Sequence, residues 1–445
     1  MDSQTVLHPI GLMAVILLGI ATLIVPRRYA IVPILIVACF ISPGQRIVAA
    51  TLDFNLLRLM ILFGWIRIFM TGEACGFKWR SLDRLVILWA LCGTAILTLR
   101  EGTLASLIYR CGLMYDAWGM YFLFRLLIRG WSDVEVIVTA AAVISVPVAA
   151  FFLLEQATGR NVFAIFGGVP EITTVRDGRL RCRGPFTHPI FAGCFWAALM
   201  PMIGALWFAG HSKRWLAPVG LLASMVVIFT TSSATPLSAM MVAITGAALY
   251  PLRRYMSWMR WAAVFGLVGL HLAMIQPVWH LLARIQLVGG TGWYRYKLID
   301  EFVNRFHEWW LLGTSNYEAW WEYGFGALTN QYVLEAVQGG LLTLVLFIAI
   351  IVCAFQGVGR IIRSAAGERF PRYASWAVGA SLLVHCAAFI GVAYFGQVYV
   401  VWYLGLSIIG SMLPEPRNAA RRVYRIVNAR GDHGEAAPAV APVGA

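Results

Sequence analysis

Nine basic residues stand in two polar segments of a chain that is otherwise strongly apolar. The segments run from about Glu155 to Thr187 and from about Gln276 to Thr329. The basic residues are Arg160, Arg176, Arg179, Arg181, Arg183, Arg284, Arg295, Lys297 and Arg305. A guanidinium fork matches phosphate oxygens bidentately, so the pattern predicts an anionic, lipid-linked substrate. Contacts with lipid headgroups, or ion pairs with Glu171 and Asp177, are the alternative.

The first segment ends in Arg181-Cys-Arg-Gly-Pro-Phe-Thr-His-Pro and leads into an apolar stretch. Proline is tolerated in the first turn of a helix, so Pro189 predicts a helix that begins just after His188. The unpaired N–H groups and the positive dipole end of such a helix favour phosphate. We therefore expect Arg181, Arg183 and His188 to stand beside a phosphate group.

The second segment contains a predicted amphipathic helix over residues 293–310, which would lie on the outer leaflet. Its apolar face follows three- and four-residue spacing: Ile299, Phe302, Phe306 and Trp309. Asp300, Asn304, His307 and Glu308 cluster toward the other face. The helix could carry Arg295 and His307 beside a lipid-linked head group. A surface helix with only a Glu301–Arg305 pair is the alternative.

Two further stretches have the composition of a sugar-binding surface. Trp320 and Trp321 belong to a dense aromatic run, and aromatic rings stack on the apolar faces of sugars. An ordinary interfacial aromatic belt is the alternative. Ser232 and Ser233 lie in the hydroxyl-rich segment Thr230-Thr-Ser-Ser-Ala-Thr-Pro236, at a predicted outer turn. They could bind substrate hydroxyls or cap helix ends.

The composition excludes a soluble protein. The chain has 445 residues, 60% hydrophobic content and only 13% charged content, against about 25% in soluble domains. The net charge of +14 comes mostly from segments predicted to be cytoplasmic, so it does not indicate nucleic acid. The eight cysteines lie mainly within apolar stretches and predict neither a disulfide framework nor a metal site.

Apolar runs predict an all-α integral membrane protein with about thirteen transmembrane helices. The predicted helices are 8–25, 29–42, 54–70, 82–98, 105–128, 133–153, 188–209, 215–232, 236–251, 258–276, 330–353, 374–391 and 396–413. The basic loops satisfy one alternation, with the N-terminus outside, the C-terminus cytoplasmic and no cleaved signal peptide. The expected divisions are N-terminal helices (1–153), a first periplasmic loop (154–187), central helices (188–275), a large periplasmic loop (276–329), C-terminal helices (330–413) and a basic, disordered cytoplasmic tail (414–445).

Three motifs resemble the superfamily of O-antigen ligases and O-antigen polymerases. The segment from Arg181 to Gly193 resembles the sequence that leads into a central helix of that superfamily. Thr-Ser-Ser-Ala, which begins at Thr231, looks like a variant of its Ser-Arg-Gly turn. Thr-Asn-Gln-Tyr-Val-Leu, which begins at Thr329, is similar to its His-Asn-x-Tyr-Leu signature. The motif resemblance extends from about Arg179 to Ile351, and the predicted topology extends it to the whole chain.

The resemblance implies a C-type glycosyltransferase-like fold and metal-independent transfer of a glycan from an undecaprenyl-diphosphate carrier, without a cofactor. The acceptor would be a glycan or a lipid, at the periplasmic face of a bacterial inner membrane. Carried over by position, Arg181, Arg183 and Arg295 would hold the diphosphate, and Arg284 lies in the same loop. Asn330, like the serines and tryptophans above, is expected to contact the glycan or acceptor.

Two departures from the family pattern concern the catalytic groups. Thr329 stands where the family has histidine, and the Thr-Ser-Ser-Ala turn lacks the arginine. The general base therefore stays open among His188, His307 and Glu308, with His307 favoured because it is predicted to share a short helix with Arg295.

Two other function classes compete with a polymerase or ligase of O-antigen or exopolysaccharide. A transporter or flippase of lipid-linked glycan would use Arg110 and Asp116, which are costly within a membrane unless they are paired or face water. A noncatalytic membrane partner of other polysaccharide assembly proteins is the third. Apart from such proteins, the expected partners are the lipid bilayer, the glycan donor and the acceptor, and not nucleic acid.

Overall fold

The protein is an all-α, multi-pass membrane protein. The computed structural model describes residues 6–49, 52–284, 292–320, 328–365 and 368–414. The helices in that part of the chain are α1 (Pro9–Ile24), α2 (Val32–Phe40), α3 (Leu56–Thr71), α4 (Ser81–Glu101), α5 (Leu104–Leu127), α6 (Trp131–Thr158), α7 (Pro189–Ala205), α8 (Leu216–Thr230), α9 (Ala234–Ala248), α10 (Met256–Ala273), α11 (Leu281–Arg284), α12 (Gly292–Asn304), α13 (Phe306–Trp309), α14 (Gln331–Ser364), α15 (Arg369–Gly391) and α16 (Val398–Met412).

Fewer helices than predicted have the length of a membrane span. Every predicted span overlaps a helix, but only six helices of the described chain are long and apolar enough to cross a bilayer. The number becomes seven if α9 and the segment that follows it, bent by 75°, count as one span. The count of thirteen is therefore not supported. Helix α2 has only nine residues, whereas a crossing needs about 20. The expected disordered tail lies outside the described residues, except for residue 414.

Helix α7 forms the centre of the bundle. It packs against α8, α9 and α15, and almost every side chain from Pro189 to Ala205 is buried. Gly193 allows this close packing, because a Cβ at that position would lie 2.3 Å from Cβ of Pro236. The ends of these helices are thereby held together, and the loops between them converge.

The strands of the described chain form two short hairpins. One pairs β1 (Arg46–Ala49) with β2 (Leu52–Asn55), and the other pairs β3 (Thr174–Arg176) with β4 (Arg179–Arg181). The second hairpin turns at Asp177 and Gly178, which have φ angles of 52° and 72°. Positive φ at both central residues is the geometry that Asp-Gly favours in tight hairpins.

Helix α14 is kinked near its N-terminal end. Gly339 and Gly340 leave the helical conformation, and Gly340 has a φ of 68°. The kink exposes backbone groups to the loop after α13, so the N–H of Leu341 donates to the carbonyl oxygen of Trp310 at 2.8 Å. A Cβ at Gly340 would lie 2.3 Å from the oxygen of Leu311, so glycine is required there. The kink thus separates the short N-terminal part of α14 (residues 331–338) from the rest of the helix.

Candidate functional site

A hydroxyl-rich turn between α8 and α9 lies at the centre of the candidate site. Thr231 is buried, and its hydroxyl donates to the carbonyl oxygen of Ile228 at 2.7 Å. Ser232 adopts a φ of 45°, which non-glycine residues rarely do. Such conformations cost about 1–3 kcal/mol and tend to occur at functional sites. The turn presents the hydroxyl of Ser233 toward the first polar segment.

Arg181 reaches this turn from the end of the second hairpin. Its Nη2 donates to Oγ of Ser233 at 2.7 Å. The N–H of Cys182 donates to the carbonyl oxygen of Thr230 at 3.1 Å, which fixes the strand beside the turn. The fully buried carboxylate of Glu155 accepts the next two backbone N–H groups, those of Arg183 at 3.1 Å and Gly184 at 3.0 Å.

Arg295 reaches the same turn from the second polar segment. It lies on α12, and its Nη2 donates to Oγ1 of Thr235 at 2.8 Å. Gly391, the last residue of α15, packs closely against both groups. A Cβ at Gly391 would lie 3.2 Å from the hydroxyl oxygen of Thr235 and 3.3 Å from Nε of Arg295. The two arginines, far apart in sequence, are therefore held by two hydroxyls of one turn.

A cavity of about 550 Å³ opens between these groups. It is lined by Arg176, Asp177, Arg179, Arg181, His188, Ile190, Ser232, Ser233, Ala234, Thr235, Tyr294, Arg295, Thr329 and Gly391. The volume lies within the range of about 300–1,000 Å³ that small-ligand sites occupy. With His188 neutral, four guanidinium groups and one carboxylate give the lining a net charge of +3.

The cavity lacks the carboxylates that would neutralise its arginines. Asp177 lies 3.6 Å from Arg176, but no carboxylate of the described residues pairs with Arg181 or Arg295. Within the same part of the chain, the buried Nε of Arg181 and the buried hydroxyl of Thr329 have no hydrogen-bond partner. Burial lowers the pKa of both unpaired arginines, and neighbouring Arg176 adds to the effect at Arg181. An anion bound here would relieve an uncompensated positive charge.

His188 faces this cavity as a neutral side chain. Burial, and then the charges of Arg181, Arg183 and Arg176, lower its pKa from 6.5 to about 4. Its Nδ1 accepts the N–H of Ile190 at 3.2 Å, the capping contact of α7. In the neutral ring the proton must then lie on Nε2. His188 consequently offers the cavity a hydrogen-bond donor rather than a free basic nitrogen.

The other two residues proposed as the base lie elsewhere. The expectation that His307 shares a helix with Arg295 is wrong, because the chain leaves the helical conformation at Arg305 and His307 belongs to α13. At the break, Arg305 donates hydrogen bonds to Glu301 and Glu308, at 3.0 Å each. His307 is 78% exposed, and neither it nor Glu308 lines the cavity.

The carboxylate of Glu308 is held by hydrogen bonds to neighbouring side chains. Its carboxylate accepts hydrogen bonds from Nη1 of Arg305 at 3.0 Å and from Nε1 of Trp320 at 2.8 Å. Burial opposes ionisation, but the bonds from Trp320 and Arg305 outweigh it and lower the pKa of Glu308. The Glu301–Arg305 pair considered from the sequence is present at 3.0 Å.

Two of the four proposed diphosphate ligands do not reach the cavity formed by the described residues. Arg183 lies two residues beyond the end of β4, and the one hydrogen bond of its guanidinium to the described residues goes to the carbonyl oxygen of Thr187, at 3.5 Å. Arg284 is exposed at the end of α11. Of the predicted arginine ligands, the structure therefore brings Arg181 and Arg295 together.

Some of the proposed glycan-binding residues line the cavity, and others do not. Ser232 and Ser233 line the cavity. Trp320 is buried in a small hydrophobic cluster with Leu298 and Trp309, so its ring is not free to stack on a sugar. Asn330 is buried as the N-cap of α14, where its side chain accepts the N–H of Val333 at 3.1 Å. Trp321 lies outside the described residues.

A second cavity of about 490 Å³ lies beside the N-terminal part of α14. It is lined by Trp89, Ala90, Gly93, Thr94, Tyr109, Arg110, Leu113, Met114, Asp116, Ala117, Tyr317, Leu328, Gln331, Leu334, Glu335, Gln338, Gly339, Thr343, Ala393, Tyr394, Phe395, Tyr399 and Tyr403. Asp116 is held in an ion pair, because Nε and Nη2 of Arg58 both donate to it at 2.7 Å. Arg110 instead donates to Oε1 of Gln338 at 3.0 Å.

Sequence reasoning missed how the residues of the second hairpin enter the site. The Asp177-Gly178 pair is a hairpin signal, and it places Arg176 and Arg179 opposite each other at the cavity rim. Thr235 lies in the hydroxyl-rich segment that the sequence singled out, although its role as partner of Arg295 requires the fold. No sequence signal indicates Gly391.

Among the residues described, no group of three or more His, Cys, Asp or Glu side chains could hold a metal ion. No protein-family model matches the chain, and no curated protein matches it. The family resemblance therefore depends on the motifs of this chain and on the arrangement of the residues that they contain.

Proposed function

We propose that this protein is a membrane glycosyltransferase of the O-antigen ligase and polymerase kind. It would transfer a glycan from a polyprenyl-diphosphate carrier to a glycan or lipid acceptor, at the periplasmic face of a bacterial inner membrane. One observation carries the proposal: Arg181 and Arg295 meet at a single turn, held by neutral hydroxyls and without a carboxylate partner among the described residues. Such a pair is suited to the two phosphates of a diphosphate.

The chemistry follows from the position of the positive charge. The acceptor oxygen forms a bond to the anomeric carbon while the bond from that carbon to the diphosphate oxygen breaks. The bonding electrons pass to the diphosphate, and its added negative charge is stabilised by guanidinium groups already in place. The Nε2–H of His188 donates to the same anion. The proton of the acceptor hydroxyl passes to water rather than to His188, because Nδ1 of that ring already accepts the N–H of Ile190 and Nε2 carries a proton.

The charge distribution supports an outer location for the site. The cavity lies where α8 ends and where α9 and α14 begin. The opposite ends of the same helices carry basic residues at Lys213 and Arg214, at Arg253 and Arg254, and at Arg360 and Arg363. Basic residues concentrate on the cytoplasmic side of membrane proteins, so the cavity end belongs to the other side.

The test replaces each cavity arginine by alanine and compares it with an arginine of the same segment that the cavity does not include. Arg160 is such a control, because it is 74% exposed and pairs with Glu171. We expect Arg181→Ala and Arg295→Ala each to reduce transfer at least about a hundredfold, as loss of one oxyanion donor does. Arg160→Ala should retain activity.

The assay combines cells and purified protein. In a deletion strain complemented with each variant, the length and amount of polysaccharide are measured; in vitro, transfer is followed with the lipid-linked glycan as donor. Unchanged product with both cavity variants would contradict the proposal. Movement of glycan across reconstituted vesicles without a covalent product would favour a transporter. Accumulation of single repeats in the deletion strain would indicate a polymerase, and accumulation of long lipid-linked chains a ligase.

A further inference from the structure

The second cavity is a direct neighbour of the arginine cavity. Thr329 lines the first cavity and Gln331 the second, with only Asn330 between them. A second segment repeats this relation, because Gly391 lines the first cavity and Ala393 the second. The two segments are joined, since the N–H of Tyr394 donates to Oε1 of Gln331 at 2.7 Å. One thin wall therefore separates a strongly cationic cavity from a cavity of different chemistry.

The cationic side chain of Arg110 and the anionic side chain of Glu335 both face the second cavity, but they do not form an ion pair with each other. Glu335 lies on the N-terminal part of α14. Its carboxylate accepts hydrogen bonds from Nε1 of Trp89 and Nε2 of Gln331, each at 2.8 Å. Arg110 lies on α5, and its Nε is buried and has no partner among the described residues. No ion pair within 4.0 Å joins Arg110 to Glu335, although both line the same space.

The hydrogen-bonding requirements of Arg110 and Glu335 determine which kind of ligand can bridge them. A group that bridges them must accept a hydrogen bond from the guanidinium and donate one to the carboxylate. A hydroxyl does both, whereas a phosphate accepts only and an ammonium donates only. Each carboxylate oxygen has a second acceptor site beyond its contact with Trp89 or Gln331.

The remaining lining fits a sugar. Trp89, Tyr317 and Tyr399 contribute aromatic rings, and such rings stack on the apolar faces of sugar rings. Gln338, which accepts from Arg110, and Gln331 add amide groups that can hydrogen-bond hydroxyls. Tyr317 belongs to the aromatic run that the sequence predicted to be a sugar-binding surface.

We propose that the second cavity binds a neutral sugar, with one hydroxyl bridging Arg110 and Glu335, and that this sugar is the acceptor of the transfer. The name acceptor rests on the proposed function, whereas the binding of a neutral oligosaccharide does not. Donor diphosphate and acceptor sugar then occupy adjacent cavities, the cationic cavity suited to the diphosphate and the cavity that contains both Arg110 and Glu335 suited to the sugar.

Binding is measured by calorimetry on the full-length protein in detergent. The two probes are the delipidated repeat oligosaccharide from the deletion strain and the core oligosaccharide of the same cells. We expect wild-type protein to bind one of them. Glu335→Gln keeps the size of the side chain but removes the charge, and should weaken binding about tenfold to a hundredfold, because hydrogen bonds to charged groups contribute more than neutral ones. Glu135→Gln, at a surface pair with Lys213, is the matched control.

One further variant in this cavity and one in the arginine cavity distinguish failure of this inference from failure of the proposed function. If Glu335→Gln does not fold, Arg110→Gln decides, with the same expected loss of binding. Arg181→Ala should abolish transfer while leaving oligosaccharide binding intact. Failure of wild-type protein to bind either oligosaccharide, or unchanged binding in both cavity variants, would overturn the inference. If Arg181→Ala retained full transfer, the proposed function would fail instead, whatever the oligosaccharide results.

Discussion

Replacing His188 by asparagine should remove a specific acid sensitivity of the folded protein. The histidine caps α7 through Nδ1, which accepts the N–H of Ile190 at 3.2 Å. Asparagine is among the best N-cap residues, and its side-chain oxygen can take the place of Nδ1. The substitution therefore preserves the cap and removes only the group that titrates.

The sign and size of the effect follow from the surroundings of His188. Burial and the nearby arginines lower its pKa from 6.5 to about 4. Between these values the unfolded chain binds a proton that the folded protein does not, so stability falls as the pH falls through this window. At about 1.4 kcal/mol per pH unit, the full loss is about 3 kcal/mol. Above pH 7 the side chain is neutral in both states and adds no pH dependence.

The measurement is thermal unfolding in detergent from pH 7.5 to pH 4.5. Wild-type protein and His188→Asn should have similar melting temperatures at the upper end, and wild-type protein should lose several degrees more at the lower end. Carboxylates titrate in both proteins, so the difference isolates the histidine. Equal losses in the two proteins would refute the reasoning, since His188 would then be free to bind a proton beside the arginines.

Two further substitutions test how the site is held. Gly391→Ala should raise the KM for the lipid-linked donor several-fold with little change in stability, because its Cβ would press on Thr235 and Arg295 at 3.2–3.3 Å; steady-state kinetics checks this, and an unchanged KM would contradict it. Glu155→Gln should destabilise the protein by about 1–3 kcal/mol, because one buried N–H loses its acceptor; thermal unfolding beside the exposed control Glu171→Gln checks this, and equal melting temperatures would speak against it.

Residue type and sequence motif predicted the components of the arginine cavity better than their number or arrangement. Arg181, Arg295, His188 and the two serines were singled out because guanidinium and hydroxyl groups are unusual beside apolar spans, and all of them line one cavity. This part was predictable because the chemistry of a polar group near a membrane does not depend on the details of packing.

The position of His307 and the number of membrane spans could not be predicted from sequence periodicity, because periodicity does not show where a helix ends. A regular three- and four-residue pattern continues through residue 305, whereas α12 ends at Asn304 and a separate helix, α13, begins at Phe306. Apolar runs likewise predicted thirteen spans, although several of the corresponding helices end before they reach the length of a crossing.

The partners of the two arginines explain why hydroxyls occupy this turn. Ser233 and Thr235 orient the guanidinium groups and leave their charge intact. A carboxylate in either position would orient them as well, but it would attract the arginine by about 4 kcal/mol at 4 Å in a partly buried site. An incoming diphosphate would have to compete with that interaction. An anion site can therefore form at a turn that has no arginine of its own, because its hydroxyls bind arginines from two separate loops and leave their positive charge available to a ligand.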